Sequence, residues 1–214
     1  MTPAASSDLN DAVTFPSFRS LPHENEVEGN YHSLSGSISS PYRHWCFLGT
    51  IVDRTAFVRL RLDVKDKKGT LIPVAFHTDD RGRAFAQGCV PGHTLVVLYA
   101  QQHDFFDGTT GIRIEEDAFV KVLPYTMEQI LGASSFLFSE GRGGRCEYCG
   151  KEAKDVTDTL KRCARCKQAS YCGKTCQQSD WGKSHKETCR ILKQLEWFTE
   201  KNWERFDGGS YFEF

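Results

Sequence analysis

CKQASYCGKTCQQSDWGKSHKETC, residues 166–189, places four cysteines and one histidine in 24 positions. The whole chain has 214 residues and 9 Cys, so this stretch holds a large share of them. Extending it towards the N-terminus gives a longer array: Cys146-x2-Cys149-x13-Cys163-x2-Cys166-x5-Cys172-x3-Cys176-x8-His185-x3-Cys189. Eight candidate ligands divide into two closed tetrahedral zinc sites, because zinc takes four ligands and Cys and His suit it. In each Cys-x2-Cys pair a tight turn brings both sulfurs to one metal. Cys172/Cys176 and His185/Cys189 are each four apart, which puts each pair on one helical face. The polar stretch between Cys176 and Cys189 accommodates two short helices.

With all eight positions used as ligands, no coordination site is left for water or substrate, so the metals are read as structural. The alternatives are a disulfide framework and a redox pair. Short-range pairing, a histidine in the array and the lack of an export signal disfavour the first. Two CxxC pairs within one larger array disfavour the second. The remaining cysteines, Cys46 and Cys89, are most simply small core residues. Spacing alone leaves open whether the ligands pair sequentially or in a cross-brace.

The segments CEYC, CARC, YCGKTCQ, DW and HKETC resemble a MYND-type zinc finger over residues 146–189. The resemblance rests on ligand identity and spacing, Tyr171 before Cys172, Gln177 after Cys176, and the Asp180-Trp181 pair. It implies two zinc ions in a cross-brace: Cys146, Cys149, Cys172 and Cys176 on one, Cys163, Cys166, His185 and Cys189 on the other. It also implies a protein-interaction module. Several members of that family bind proline-rich peptides of the PxLxP kind as a strand added beside a small hairpin. Carried over, the edge lies near Gln168, Ala169, Ser170 and Tyr171, and the expected peptide-binding residues are Ser170, Tyr171, Gln177 and Trp181. Trp181 could equally be core in so small a domain.

Outward from the finger, residues 42–125 look like a β domain. FVRLRLDV (57–64) alternates, with Val58, Leu60, Leu62 and Val64 facing one way and Phe57, Arg59, Arg61 and Asp63 the other. DKKG (66–69) signals a turn and LIPVAFHT (71–78) resumes the alternation. HTLVVLYA (93–100) is apolar throughout and reads as a central strand. GIRIEE (111–116) and AFVKVLP (118–124) supply the last pieces. DRGRAFAQGCVPG, between the third and fourth candidate strands, is long enough for a short helix and a turn. Five strands with an insertion after the third resemble a small OB-fold barrel, although other small barrels would show much the same pattern.

The expected organisation is mainly β with a two-zinc finger: a flexible N-terminal segment at 1–40, an OB-like five-stranded barrel at 41–125 and a linker at 126–144. The finger at 145–190 follows, then a C-terminal helix and tail at 191–214. SLSGSISSP (33–41) reads as a tether, YTMEQILGASSFLF (125–138) as a helix, GRGG (141–144) as a joint and 190–206 as a helix. Phe15, Phe18 and Leu21 are the residues that would anchor the N-terminal segment if it were an ordered strap.

Charge is unevenly spread. Residues 1–140 carry a net of −5, residues 141–190 a net of +6 and residues 191–214 a net of −2. The first twenty residues lack a basic start followed by an apolar stretch, and no run approaches 18 apolar residues, so neither a signal peptide nor a membrane span is expected. An intracellular protein, nuclear or cytoplasmic, follows as the expectation. MYND fingers also occur within SET-domain methyltransferases, but the cofactor-binding Asn-His pair of those enzymes is missing here. There is also no GxGxxG, P-loop or nucleophile with a nearby base. The chain is therefore expected to be a non-enzymatic adaptor, with proteins bearing proline-rich motifs as partners and a role in transcriptional or chromatin regulation. The alternative is a single-stranded nucleic-acid binder using Phe57, Arg59 and Arg61, since such domains stack bases on aromatics and hold phosphates with cations. The acidic balance of the β domain counts against it.

Overall fold

A computed structural model describes residues 7–26, 29–35, 38–140, 142, 144–153, 160–206 and 209–214. The chain divides into two compact units. One comprises Leu9–Glu128 together with Asn202–Phe214; the other includes Gln129–Lys201.

The first unit is built of nine strands: β1 (His32–Ser35), β2 (Ile38–Pro41), β3 (Cys46–Ala56), β4 (Leu60–Asp66), β5 (Leu71–Phe76), β6 (Thr94–Leu98), β7 (His103–Asp104), β8 (Thr110–Ile114) and β9 (Val120–Leu123). Strands β1 and β2 form a separate antiparallel hairpin, and the others make one sheet in the order β7-β8-β5-β4-β3-β6-β9. All neighbours in this sheet are antiparallel except β5 and β8, which run parallel with Val74 opposite Ile112. The long β3 joins the two halves. Its first residues pair with β6, from Cys46 opposite Leu98 to Thr50 opposite Thr94, and its later ones pair with β4. A register shift between Ile51 and Asp53 marks the change, as a bulge does when it bends a strand and increases its twist. Strands β8 and β9 lie towards opposite ends of the sheet yet are separated by only Glu115–Phe119, which include a 3-10 turn. The mainly β, OB-like architecture is therefore present, but as a coiled seven-stranded sheet rather than five strands. No ladder joins β8 to β9 among the described residues.

Alternation decides what is inside. On β4, Leu60, Leu62 and Val64 are buried while Arg61 and Lys65 are exposed. All five residues of β6 are buried, as suits a strand flanked by β3 and β9. Val58, expected on the inner face, is 58% exposed because Phe57–Arg59 form the turn between β3 and β4. The insertion expected to hold a short helix is a succession of turns, in which Asp80 accepts from the backbone of Gly82 and Ala84.

The segment 1–40, expected to be flexible, needs the largest correction. Leu9, Phe15, Phe18, Leu21 and Tyr31 are buried. The Phe18 N–H donates to the buried Asp66 carboxylate at 2.9 Å, and the Cys46 N–H donates to the Thr14 carbonyl at 2.9 Å. The expected tether 33–41 is the β1–β2 hairpin, with residues 36 and 37 outside the described set. At the other end, Trp203 lies beyond the helix on which it was expected. It is buried in the β unit with its ring 5.0 Å from Phe15, and its carbonyl accepts from the His44 N–H at 3.0 Å. The residues after Lys201 therefore belong to the β unit.

In the second unit, α1 (Met127–Leu137) occupies much of the expected linker and buries Ile130, Ala133, Ser134 and Leu137 along one face. The hairpin β10 (Lys161–Arg162) and β11 (Ser170–Tyr171) follows, then α2 (Lys174–Asp180), a π-helical turn at Trp181–His185, and α3 (Lys186–Thr199). Helix α3 buries Cys189, Ile191, Leu192, Leu195 and Phe198. It begins before and ends before the expected 190–206. The GRGG joint falls partly outside the described residues. Among the described residues, no helix is long and apolar enough to cross a membrane.

Candidate metal centre and interaction surface

Each ligand pair is placed by local backbone geometry. At CEYC the Gly150 N–H donates to the Cys146 carbonyl and the Cys146 N–H to the Lys151 carbonyl. Gly150 has a φ of 72°, a left-handed turn that glycine takes without steric cost. At CARC the Lys167 N–H donates to the Cys163 carbonyl, and the Cys163 N–H donates to Ala169 at the open end of the hairpin. Helix α2 carries Cys176, the π-helical turn carries His185, and α3 carries Cys189.

These elements gather two ligand sets, Cys146/Cys149/Cys172/Cys176 and Cys163/Cys166/His185/Cys189, each with all four ligand atoms within 4.8 Å of one another. The pairing is thus an interleaved cross-brace, which spacing had left open. Within the first set, Cys149 Sγ lies 3.4 Å and Cys176 Sγ 3.3 Å from Cys172 Sγ. In the second, Cys163 and Cys189 sulfurs are 3.8 Å apart, and Cys166 Sγ is 3.7 Å from His185 Nε2. A tetrahedral zinc with bonds of about 2.3 Å to sulfur separates its ligands by roughly 3.8 Å, so both sets have the size of one ion.

The electrostatics of the donors also fit a cation. Burial opposes ionisation of Cys146, but N–H donors from Cys149, Cys172 and Tyr148 bring its thiol down to about 6. Cys166 is likewise held at about 6 against burial by His185 and by the N–H groups of Gln168 and Ala169. Their neighbours move the other way. The Cys172 contact pushes Cys176 up to about 12, and burial with the adjacent Cys166 and Cys163 pushes Cys189 up to about 12. Four sulfurs or three sulfurs and an imidazole this close cannot all take their ligating forms without a positive ion between them. Zinc bound here would tie α2, the π-helical turn and α3 to the two cysteine knuckles. The two sets differ in burial: all four ligands of the second are buried, whereas Cys149 and Cys172 of the first are exposed.

Asp180, recognised in the sequence only as part of an Asp-Trp pair, has a structural role. It is buried, accepts from Tyr171 Oη at 2.7 Å and from Ser184 Oγ at 3.0 Å, and so ties β11 to the helices. This corrects the expectation for Tyr171 and Ser170. Both are buried, so neither side chain faces a groove. The edge expected to take an added strand is also occupied: the Glu147 N–H donates to the Ser170 carbonyl at 2.9 Å, and the Arg142 guanidinium donates to the Gln168 carbonyl. Arg142 lies 4.2 Å from the Phe136 ring centroid and 3.7 Å from Glu147. Nothing in the glycine-rich GRGG stretch signalled this arginine. Gln177 and Trp181 remain partly exposed, and the Trp181 ring lies 5.9 Å from that of His185. In the β unit, Phe57 and Arg61 are exposed and Arg59 is partly so. Cys46 and Cys89 are buried, as expected.

The family model described as the MYND finger matches residues 146–189. This segment is a MYND finger. Similar segments occur in curated proteins. The chain is 42% identical over 52 residues to Histone-lysine N-methyltransferase ASHR1 of Arabidopsis thaliana, covering 24% of this chain and 10% of that protein. It is 44% identical over 51 residues to Ubiquitin carboxyl-terminal hydrolase 19 of the same plant, covering 24% and 7%. It is 46% identical over 48 residues to N-lysine methyltransferase SMYD2 of Homo sapiens, covering 22% and 10%. The chain thus spans about a tenth or less of these relatives' lengths. Among solved structures, Schizosaccharomyces pombe Pot1pC bound to ssDNA aligns with 12% identity and a TM-score of 0.31, covering 43% of this chain and 86% of that one. The S. pombe Stn1-ten1 complex gives 17% identity and 0.31, covering 52% and 79%. At these scores the architecture rests on the strand order itself.

Proposed function

We propose that the protein is a non-enzymatic adaptor whose MYND finger binds partner proteins, with short proline-rich peptides as the ligand class. The observation that carries this reading is the partly exposed Trp181 one helical turn after Gln177, on a finger whose eight ligands are all used in closed metal sets. Closed sites leave no coordination position for substrate. An indole can pack on proline rings while its N–H meets a peptide carbonyl. The covered outer edge of β11 favours the Gln177/Trp181 face, over a strand beside Ser170, as the docking place in this reading. Relatives that pair such a finger with a methyltransferase or hydrolase name carry it as a small part of a longer chain. Recruitment in transcriptional or chromatin regulation is the biological setting this reading favours.

Titration calorimetry of the zinc-loaded chain with a PxLxP peptide tests it. Trp181→Ala is expected to weaken binding about thirtyfold, the loss that marks an interface hot spot, a class rich in tryptophan, with both zinc ions retained. Gln177→Ala should cost about 1 kcal/mol, for one hydrogen bond. Unchanged affinity in both variants would move the interaction surface elsewhere.

A further inference from the structure

We propose that the cleft at the seam between β8 and β9 is an aromatic box that binds a methylated ammonium group. Its volume is about 280 Å³, just under the usual range for a drug-sized ligand, so it suits a head group rather than a whole cofactor. Trp45, Tyr99, Phe119, Tyr211 and His32 all line it. These rings come from separate parts of the β unit: His32 opens β1, Trp45 precedes β3 and Tyr99 follows β6, while Phe119 lies in the 3-10 turn before β9 and Tyr211 in the C-terminal tail.

Tyr99 is the common wall. Trp45 crosses it at 90° with ring centroids 5.3 Å apart, Tyr211 at 89° and 4.9 Å, and Phe119 at 75° and 5.4 Å. The His32 ring in turn crosses Trp45 at 71°. Rings set edge to face do not close a space as stacked rings do; they leave π-faces bordering it from more than one side. The backbone is strained at the same place. Tyr99 has a φ of 54°, a left-handed conformation that is costly for a bulky residue and that collects at ligand clamps. Trp45 is 2% exposed and Tyr211 49%, so the box runs from an enclosed end to a rim in water.

Charge selects the ligand. Residues 113–117 carry one Arg against two Glu and one Asp, and both glutamates line the cleft. Arg113 lines it too, but Glu115 accepts from its guanidinium at 2.5 Å, which leaves Glu116 to set the sign. Burial lowers the His32 imidazole pKa, so this wall is uncharged near neutral pH. An unmodified lysine ammonium is strongly hydrated and brings three donors, which aromatic walls do not satisfy. Methylation removes the donors and weakens the hydration but keeps the charge, and π-faces attract such a cation. The cleft belongs to the β unit, and the inference is independent of the finger's peptide role.

The test titrates the full-length, zinc-loaded, isotope-labelled chain and follows the indole N–H signals by nuclear magnetic resonance. The probes are N-acetyl-trimethyllysine amide, choline, unmodified N-acetyl-lysine amide, and the uncharged tert-butyl analogue of choline. Trp45 Nε1–H donates to the Ala100 carbonyl at 2.8 Å beside the cleft, so its signal should shift with both trimethylammonium probes. These should bind at least about tenfold more tightly than the uncharged analogue and the unmodified lysine, the scale of a desolvated cation–π contact. Tyr211→Leu keeps apolar bulk without a π-face and should weaken binding about tenfold, whereas Tyr211→Phe should retain it. Glu116→Gln should weaken it with an unchanged melting temperature, because the side chain is exposed. Tighter binding of trimethyllysine would support the box and name a modified protein side chain as its source; tighter binding of choline would support it and name a choline head group. Equal affinity for the uncharged analogue would overturn the proposal in favour of a plain apolar cavity. Full affinity in Tyr211→Leu, or no shift with any probe, would overturn it as well.

Discussion

The two units bury their interiors with different chemistry. In the β unit, Phe47, Ile51, Leu62, Val64, Ile72, Val74 and Phe76 are fully enclosed in one apolar cluster. In the finger, the enclosed residues before α3 are chiefly ligands and their supports: Cys146, Cys163, Cys166, Ala169 and Tyr171. A continuous core loses stability in increments, one side chain at a time. A metal-held core depends on a few bonds, each shared among elements distant in sequence, so losing one ligand loosens all of them. The same contrast recurs within the finger. The second ligand set is closed off from water, while the first exposes two of its sulfurs.

Removing metal should separate the units most strongly. A structural zinc in a small finger contributes roughly 10–16 kcal/mol of apparent binding free energy near neutral pH. Cys163→Ser, or exhaustive chelation, is expected to unfold the finger while the cooperative melting of the β unit persists; proteolysis with mass mapping reads both at once. Loss of the β transition as well would show that the apolar core needs the metals. Zinc quantification should give two ions per chain. Timed chelation of the unsubstituted chain should release them in two phases, the faster from the Cys146/Cys149/Cys172/Cys176 set, which has exposed sulfurs.

Next in size is Trp203→Ala, which empties a fully buried site in the β unit. The expected loss is about 3–5 kcal/mol, as for other large aromatic truncations, in urea unfolding followed by near-ultraviolet circular dichroism. Zinc content should stay at two. A smaller effect is expected for Tyr171→Phe, which leaves one buried oxygen of Asp180 without its donor. That costs about 1–3 kcal/mol and should appear as earlier zinc release on denaturation, with the β unit unaffected.

The parts of this fold that were readable from the sequence are those fixed by local spacing. The eight ligands sit in pairs three or four residues apart, and the chemistry that joins them is written in residue type. The alternation of β4 and the uniform apolarity of β6 are local in the same sense. Strand β3 was harder to see because its buried first half and exposed second half meet at a register shift, which breaks any single period. The N-terminal segment reads as flexible because its Ser, Pro and Asn content outweighs four spaced anchors, Leu9, Phe15, Phe18 and Leu21, whose partners lie far along the chain. The peptide edge failed for a related reason. Whether β11 is open depends on Glu147 and Arg142, and nothing in their local sequence states that they cross to it. The pairing of the ligands, interleaved rather than sequential, follows in the sequence from the resemblance and not from spacing, and the two gathered sets display it.

The return of Asn202–Phe214 to the β unit has a consequence for synthesis. The finger is inserted within the sequence of a domain whose last core residue, Trp203, is made after it. Domains usually fold as units while the chain emerges from the N-terminal end, but this one must wait. Its strands are all translated by Leu123, yet the ring that packs on Phe15 arrives only after every zinc ligand has been made. A ribosome stalled just after the finger would therefore hold a chain able to take up both metals while its larger domain still lacked Trp203.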